Sequence, residues 1–417
     1  MNDLFTYYSG KLVRAGLAEA GRPLLGTAEE LVAGNRLAPP KANGGATMEM
    51  PGTGLMAWNR NDPLTGLLTK VAERLGRRAI LYCQPAEPYH TMLLHLTETA
   101  DGSGVIHPQD FETRIFLKDL PILKDLNEAG LLAALKDRRC VVIPGGGFIA
   151  TAKKDMETAF VIYSAACFAV FVKFFSDLLP PRQGGGAAND AISLLPEIRN
   201  HIDRCDNLGS FPAPAPPLGR GPFEGAQAIR EAMTEAGGRT VAVRLVNANF
   251  GNISYRRGDE LFITRRGSAL DNLKDSIITV PLPGPAETDA IASIELPAHR
   301  RIVMETPYRA VLHGHPKFSV IMSMACDEDD CPQRGDCHRF CPRMRRIADI
   351  PVVSGEAGAG TYGLGNTVPP AVRDHGAAIV YGHGVFAAGK EDFLEAYTRL
   401  EQVEKTCKDL FFMRIGV

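Results

Sequence analysis

Three histidines and one glutamate in the second half of the chain have the residue types and spacing of a metal-assisted acid/base site. His313 and His315 end the apolar run AVLHGH, and His383 lies in GHG at 382–384. Because side chains alternate along a strand, His313 and His315 are expected to face the same side. Three neutral imidazoles can bind one divalent ion and leave a position open for a substrate oxygen. Glu295, in SIELPAH, could then move a proton beside the ion.

These three histidines, called the histidine triad below, have a less specific interpretation as ordinary core or surface residues. Glu295 could likewise be a carboxylate that only stabilises a helix N-terminus. We predict metal binding by the triad and catalysis by Glu295, with zinc as the first choice of metal. Manganese, cobalt and iron stay open, since imidazole suits all of them.

A second candidate site is the Cys-rich stretch CDEDDCPQRGDCHRFC at 326–341. Its thiols could hold a structural zinc or an iron–sulfur cluster. The intervals of four, five and three residues fit neither the usual zinc pairs nor the common ferredoxin run. The alternative is a polar loop with free thiols. The cysteines concerned are Cys326, Cys331, Cys337 and Cys341.

Composition narrows the class of protein. The chain has 417 residues, enough for two or three domains, and its 46 basic and 48 acidic residues nearly cancel. No basic patch predicts a nucleic-acid partner. The apolar stretch 159–172 is too short to span a bilayer and is predicted to be a buried helix, so we expect no membrane partner. Nine cysteines without a secretory signal favour a reducing, cytoplasmic location.

The sequence contains an internal repeat. Residues 140–175 align without a gap on 377–412 at a constant offset of 237, so that Gly146 stands where His383 stands. Upstream, 104–111 is similar to 310–318, which places Pro108 and Gln109 opposite Gly314 and His315. The stretch 87–90 is similar to 295–299. The first copy therefore lacks the histidine triad.

The repeat and the Pro/Gly-rich composition between its halves suggest three parts: a degenerate copy over 1–178, a linker over 179–222, and a complete copy over 223–417. The linker is predicted to contain one short helix at 191–205. Within the complete copy we predict helices at 223–238, 295–306 and 391–412, and strands at 240–249, 259–267, 310–315 and 377–382. This alternation favours an α/β fold over an all-β fold.

Four segments, in order, resemble the class II aldolase/adducin family of fuculose-phosphate and ribulose-phosphate-type aldolases and epimerases. They are GNIS at 251–254, FITRRG at 262–267, SIELPAHRRIVMETPYRAVLHGHP at 293–316 and GHGVFAAGKEDFLEAY at 382–397. The resemblance covers about 223–417, and 1–178 only weakly through the repeat. It implies a three-layer α/β/α sandwich around a mainly antiparallel sheet, here present as two tandem copies.

The resemblance also implies roles for single residues. The histidine triad would hold a zinc-type metal, and Glu295 would be the general acid/base. Asn252, Ser293 and the turn around Gly267 would hold the phosphate of the substrate. Where the family commonly has TPSG, this chain has Thr264-Arg265-Arg266-Gly267, and guanidinium groups bind phosphate or carboxylate in a bidentate manner. The substrate's anionic group is therefore open, and Arg265 and Arg266 are as easily explained by a solvated turn.

The function predicted from the sequence is a metal-dependent aldolase that cleaves or forms a carbon–carbon bond in a small phosphorylated or carboxylated hydroxy-carbonyl compound. The same groups would serve a sugar-phosphate 4-epimerase, a dehydratase or a decarboxylase. An adducin-like non-catalytic scaffold is the alternative from another class. The family usually completes its site with a neighbouring subunit, so we expect a homo-oligomer, in which two chains of two copies each form a pseudo-tetramer.

Overall fold

The computed structural model describes most of the chain and divides it into two compact units. The described residues are 2–19, 24–27, 63–100, 104–179, 189–207, 217–246, 249–328, 330–358 and 360–416. The first unit comprises residues 1–109, 113–174 and 188–207. The second comprises residues 110–112, 175–187 and 208–417.

The first unit contains two small antiparallel sheets. Its helices are α1 (Asn2–Arg14), α2 (Pro63–Arg74), α3 (Tyr89–Glu98), α4 (Phe111–Leu117, beginning in the second unit), α5 (Glu128–Lys136), α6 (Met156–Leu178) and α7 (Asn189–Asn207). Its strands are β1 (Leu24–Thr27), β2 (Ala79–Cys83), β3 (Val105–Ile106), β4 (Leu120–Pro121), β5 (Cys140–Ile143) and β6 (Gly147–Ala152). One sheet has the order β1-β2-β6-β5, and the other pairs β3 with β4. Leu68, Val71, Ile80, Leu131 and Ile149 form part of a core beside the larger sheet.

Helix α6 contains the most apolar segment of the chain. Among the described residues it is the one helix long and apolar enough to cross a membrane, and 83% of its most apolar stretch is buried within the structure. Burial of this kind is typical of a core helix, since packed neighbours replace lipid around the apolar side chains. The buried helix predicted over 159–172 is confirmed.

The second unit is built on one eight-stranded sheet. Its strands are β7 (Asn252–Arg257), β8 (Glu260–Thr264), β9 (Ile277–Pro281), β10 (Ala310–Gly314), β11 (Arg345–Ile347), β12 (Ile350–Val353), β13 (Ala377–Val380) and β14 (Gly384–Gly389). Its helices are α8 (Ala226–Ala242), a 3-10 turn (Glu287–Ile291), α9 (Leu296–Glu305), α10 (Lys317–Met324), α11 (Leu364–His375) and α12 (Phe393–Ile415). The strand order is β11-β12-β13-β14-β10-β7-β8-β9. Of these neighbours only β12 and β13 run parallel.

Helices pack on both faces of this sheet. On one face, Ile302 and Val303 of α9 and Val368 of α11 share a buried core with Val311 of β10 and Phe386 of β14. Helix α12 packs against both α8 and α10, and all three helices pack against strands of the sheet. The predicted mixed α/β class and the mainly antiparallel sheet are therefore confirmed for this unit. Helices cover both faces because the central strands carry apolar side chains on both faces.

The strand predicted at 240–249 is wrong. Helix α8 continues through Gly237 and Gly238 to Ala242, and the next strand begins only at Asn252. Gly237 does not end the helix; a Cβ atom there would lie 2.6 Å from the carbonyl oxygen of Leu270. The glycine is needed for close packing in mid-helix, which a sequence pattern does not distinguish from a C-terminal signal.

The predicted linker over 179–222 is only partly described. Helix α7 confirms the helix expected at 191–205, and it clusters with the first unit. Residues 180–188 and 208–216 lie outside the described residues. The division into a degenerate copy, a linker and a complete copy stays a prediction.

The gapless part of the repeat has the same secondary structure in both places. Strands β5 and β6 and helix α6 begin and end 237 residues before β13, β14 and α12, respectively. The upstream pairing of 104–111 with 310–318 is wrong, because Val105–Ile106 pairs with Leu120–Pro121 in a separate sheet. Strand β2 is the local counterpart of β10: it pairs with β6 as β10 pairs with β14. Tyr82 and Gln84 therefore take the places of His313 and His315.

Candidate metal centre and acid/base site

The middle of the eight-stranded sheet positions the histidine triad. His313 lies in β10, opposite Phe386 of β14 and Asn252 of β7. His315 follows the end of the strand by one residue, and His383 lies in the tight turn between β13 and β14. Because β10 and β14 are adjacent, three side chains from distant points of the sequence meet at one end of the two strands.

The ligand atoms of the triad converge. One nitrogen from each ring can be chosen so that all three lie within 4.8 Å of one another, and all three side chains are buried. The Nε2 atoms of His313 and His315 are 2.9 Å apart. Among the described residues, this is the one group of three or more His, Cys, Asp or Glu side chains that meets this distance. The geometry and the donor set fit a single divalent ion.

Glycines make this convergence sterically possible. A Cβ atom at Gly384 would lie 2.4 Å from the carbonyl oxygen of Gly314 and 2.9 Å from ring carbons of both His313 and His315. A Cβ atom at Gly251 would lie 2.6 Å from the carbonyl oxygen of His313. Gly384 of GHG and Gly251 of GNIS thus permit the close packing of the backbone around the triad.

A hydrogen bond orients the ring of His313, and a close carboxylate contact lies behind the ring of His315. Nδ1 of His313 donates to the carbonyl oxygen of Val385 at 3.0 Å, which leaves Nε2 with its lone pair. Nδ1 of His315 lies 2.7 Å from Oε2 of Glu112, and its Nε2 points to His313. A carbonyl or carboxylate behind a ligating histidine fixes its tautomer and raises its basicity. Both contacts therefore favour metal ligation through Nε2.

Burial keeps the triad neutral. Desolvation lowers the pKa of His315 to about 3 and that of His383 to about 4. The pKa of His313 lies well below its ordinary value, because of burial first and the neighbouring imidazoles second. Metal ligation requires the deprotonated imidazole, so the site needs no proton release from these rings near neutral pH.

Glu295 lies directly against the triad. Its carboxylate oxygens are 3.3 Å from Nε2 of His313 and 3.2 Å from Nε2 of His383. Burial raises the pKa of Glu295 to about 8; a hydrogen bond from Asn252 opposes this shift and the nearby Glu112 adds to it. A carboxyl group whose pKa is brought near neutrality can both accept and donate a proton at physiological pH.

A buried chain of hydrogen bonds holds Glu295 in place. Nδ2 of Asn252 donates to Oε2 of Glu295 at 2.7 Å, and Oδ1 of Asn252 accepts from Nε2 of His299. Nδ1 of His299 in turn accepts from the hydroxyl of Ser254 at 2.7 Å. Both ends of the Asn252 amide are engaged in orienting the glutamate. Its predicted contact with substrate phosphate stays a prediction.

Glu112 is a residue of the site that the sequence analysis missed. It lies in residues 110–112, which cluster with the second unit, and its Oε2 is 3.8 Å from Nε2 of His383 as well as close to His315. That oxygen is buried although 29% of the side chain stays exposed. Burial raises the pKa of Glu112 to about 7, with His383 opposing. No local sequence pattern identifies this residue.

Backbone hydrogen bonds link two of the predicted anion-binding parts, Ser293 and the turn after Thr264. Thr264 accepts from the amide of Ser293, whose hydroxyl accepts from the amide of Glu295 at 3.3 Å. The exposed turn Arg265–Gly267 follows Thr264, and Gly267 has a φ of 71°. That value explains the glycine, since other residues rarely adopt it. Within the described part of the chain, no partner is found for either guanidinium group.

The four cysteines of the Cys-rich stretch do not join the triad. Cys326, Cys331, Cys337 and Cys341 are partly buried free thiols that line a separate cavity of about 620 Å³. Cys83, Cys140, Cys167 and Cys407 are buried, reduced cysteines elsewhere. Whether the Cys-rich stretch binds a metal is a separate question from the chemistry of the triad.

Comparison with known proteins finds matches to the region that contains the histidine triad. Residues 231–411 match the family model described as the class II aldolase and adducin N-terminal domain. A 5-methylthioribulose-1-phosphate/5-deoxyribulose-1-phosphate aldolase of Rhodospirillum rubrum is 27% identical over 190 residues, which span 42% of this chain and 83% of that protein. An L-fuculose phosphate aldolase of Methanocaldococcus jannaschii is 26% identical over 163 residues, spanning 38% and 82%.

Among solved structures, the L-fuculose-1-phosphate aldolase of Thermus thermophilus is similar over 45% of this chain and 95% of that chain, with 28% identity and a TM-score of 0.37. The putative aldolase/epimerase/decarboxylase YgbL of Escherichia coli is similar over 45% and 90%, with 22% identity and a TM-score of 0.37. The family model includes Glu295 and all three histidines. Residues 231–411, which contain the complete histidine triad, are therefore similar to the class II aldolase/adducin domain.

Proposed function

We propose that this protein is a metal-dependent lyase of the aldolase type, acting on a small phosphorylated or carboxylated hydroxy-carbonyl compound. The observation that carries the proposal is the convergence of three neutral imidazoles, two of which contact one buried carboxyl group, Glu295. The two curated relatives named above are both aldolases of phosphorylated sugars. These relatives support the reaction class. Because their identity to this chain is low, they leave the substrate open.

The histidine triad would hold the metal, and zinc suits three imidazoles. Such an ion supplies Lewis-acid stabilisation of the negative charge that develops on a substrate oxygen during carbon–carbon cleavage. Glu295 moves the proton that cleavage requires, from a position fixed by Asn252 and His299. Its raised pKa suits both directions of transfer.

Substrate recognition is proposed to involve the turn at Arg265 and Arg266. Both guanidinium groups belong to an exposed turn that is linked through Thr264 to Ser293 and Glu295. Paired arginines suit a phosphate or a carboxylate, because each guanidinium can donate two parallel hydrogen bonds. A substrate with its anionic group a few bonds from the reacting carbonyl would use both parts of the site.

The same metal and glutamate would also serve 4-epimerisation, dehydration or decarboxylation, because each reaction passes through an enolate-like charge. Product analysis separates them, since only an aldolase releases two carbonyl fragments. A non-catalytic scaffold has no need for neutral, oriented histidines around a glutamate. The oligomeric state and the cytoplasmic location stay predictions.

The experiment is a retro-aldol assay of the full chain with added zinc, manganese or cobalt. Candidate substrates are 1-phosphorylated deoxyketoses and hydroxy-keto acids, and the carbonyl products are identified by mass spectrometry. Release of two fragments by the wild type, with no release by His383→Ala, supports the proposal. A chain that takes up metal at the triad and converts substrates only to isomers would move the assignment to an epimerase.

A further inference from the structure

The Cys-rich segment, residues 326–341, surrounds a cavity that the histidine triad does not use. All four of its cysteines line one cavity of about 620 Å³, and none of them forms a disulfide. Met322, Met324 and Tyr381 also line it, so the site faces helix α10 and the residue after β13. Four thiols around a common space are unusual in a chain whose other described cysteines are scattered in cores.

The backbone of the segment has little regular structure to hold it. The described residues between Met324 and Arg345 form turns and irregular chain. Two of its links to the chain after β12 are hydrogen bonds: the hydroxyl of Ser354 donates to the carbonyl oxygen of Cys337 at 2.6 Å, and the amide of Gly355 donates to the carbonyl oxygen of His338 at 2.9 Å. An internal cross-link, such as a metal centre supplies, would strongly stabilise the fold of a segment of this kind.

The charges around the cavity favour an anionic group. Five arginines line it against two carboxylates, Asp327 and Glu328. Arg343 pairs with Glu328, and Arg414 pairs with Asp327 at 2.8 Å. The guanidinium of Arg345 donates to the carbonyl of Ala325 and lies 5.6 Å from the ring centre of Tyr381. The lining is thus positive overall and complements thiolates and the sulfide of a cluster.

The four thiols are not gathered closely enough to form a ready-made site for one zinc ion. Since a Zn–S bond is about 2.3 Å, thiolates on one ion stand no further apart than twice that length. No three of the four Sγ atoms, all of which belong to described residues, meet a mutual distance of 4.8 Å. His338 stacks on Phe111 at 4.3 Å between ring centres and does not line the cavity, so it is not a substitute ligand.

We propose that Cys326, Cys331, Cys337 and Cys341 bind a [4Fe–4S] cluster in this cavity. Transfer of a preformed cluster onto the four cysteines displaces their thiol protons and leaves the oxidation states of the iron and sulfide unchanged. Cysteine thiolates are the common ligands of such clusters, and a cluster needs more room between the thiolates than a single ion does. The proposal is independent of the lyase assignment.

The cluster site adjoins the turn that presents His383. Tyr381 lines the cavity, and the amide of Gly382 donates to the hydroxyl of Ser323 in helix α10. The amide of Phe111 donates to the carbonyl of Gly382 at 2.9 Å, beside the stacked His338. A cluster here would therefore stabilise the loop behind the triad without contributing a ligand to it.

The test is to express the full chain under iron-replete conditions, purify it anaerobically, and measure iron, acid-labile sulfide and zinc. We expect about four iron and four sulfide per chain. Both should be lost in the double variant Cys331→Ser/Cys341→Ser and retained in His383→Ala. Cys83→Ser is the matched control, because it removes a thiol outside the segment and can keep the hydrogen bond to Gln84.

Sulfide is the decisive quantity, because iron bound by the triad would bring none. If the double variant does not fold, alkylation of the wild type replaces it: the four cysteines should be protected in the loaded protein and modified after chelation of iron. One zinc per chain that disappears with the two cysteines would overturn the proposal. So would the absence of iron and sulfide after anaerobic reconstitution with equal amounts of ferrous and ferric iron and with sulfide.

Discussion

Residues 140–178 and 377–415 form the same strand–turn–strand–helix unit, yet only the second contributes to a metal-binding constellation. In the second, His383 lies in the turn, and His313 and His315 meet it from β10. In the first, Gly146 occupies the turn, and a Cβ atom there would lie 2.9 Å from Nε2 of His90. The local fold depends on apolar strands and glycine turns, and the chemistry depends on a few side chains placed on that frame.

The first region has filled its corresponding space with hydrogen bonds. Nε2 of His90 lies 2.6 Å from Nε2 of Gln84 and 3.1 Å from the carbonyl oxygen of Gly145. Tyr82 pairs with Ile149, as His313 pairs with Phe386. One imidazole with an amide and a phenol does not make a site for a divalent ion. The pair of regions therefore offers matched substitutions.

The largest effect is expected from the triad itself. His383→Ala should lose the bound metal and lower turnover by about 10³-fold or more, because a Lewis acid supplies several kcal/mol of transition-state stabilisation. His90→Ala, in the first region, should leave both unchanged. Elemental analysis and kcat/KM measure the two quantities. Loss of metal in His90→Ala would show that the first region is not inert.

Substitution of the acid/base group comes next. Glu295→Gln should retain the metal and lower kcat by about 10²- to 10⁴-fold, because the amide cannot transfer the proton. Glu87→Gln is the control, since Glu87 lies 3.5 Å from His90 in the first region. Steady-state kinetics of both variants, each with a measured metal content, test the role. Full activity of Glu295→Gln would remove Glu295 from the mechanism.

A smaller effect is expected at Glu112, whose carboxylate lies behind His315. Glu112→Gln should weaken metal affinity by about 10- to 100-fold, because ligating histidines depend on such partners for orientation and basicity. Competition with a chelating dye measures the affinity. An unchanged affinity would mean that the carbonyl of Val385 behind His313 orients the triad sufficiently without Glu112.

The two glycines that follow the turn residues should differ in their tolerance of a methyl group. A Cβ atom at Gly384 would meet the backbone oxygen of Gly314 at 2.4 Å, whereas one at Gly147 would meet the ring of Tyr82 at 3.0 Å. We expect Gly384→Ala to cost about 3 kcal/mol of unfolding free energy and Gly147→Ala about 1 kcal/mol. Chemical denaturation gives both values. Equal costs would mean that the strands at the triad can separate without penalty.

The smallest effect concerns pH. Burial lowers the pKa of His299 from 6.5 to about 3 in the folded protein. Below pH 6.5 the unfolded chain therefore takes up the proton first, and the free energy of unfolding falls until the pH reaches the folded pKa. His299→Gln should reduce the slope of unfolding free energy against pH by about one proton between pH 6 and pH 4. An unchanged slope would contradict the neutral, buried state of His299.

Several features could be predicted from the sequence. The alternation of His313 and His315 in an apolar run placed them on one face of a strand, and the GHG turn supplied His383. Helix α12, strands β10 and β13 and the buried helix α6 follow from apolar pattern and length. The helix predicted to end at 238 is longer in the structure, because Gly237 permits close packing within the helix and does not end it.

By itself, then, the sequence determined the ligand types, the frame of strands and helices, and the gapless part of the repeat, because these depend on local spacing. Only the tertiary structure brought Glu112 to His315, engaged both ends of the Asn252 amide, and gathered four separately spaced thiols around one cavity. Those contacts join residues far apart in the chain. Their distances are decided by how strands pair and helices pack, and no local periodicity encodes them.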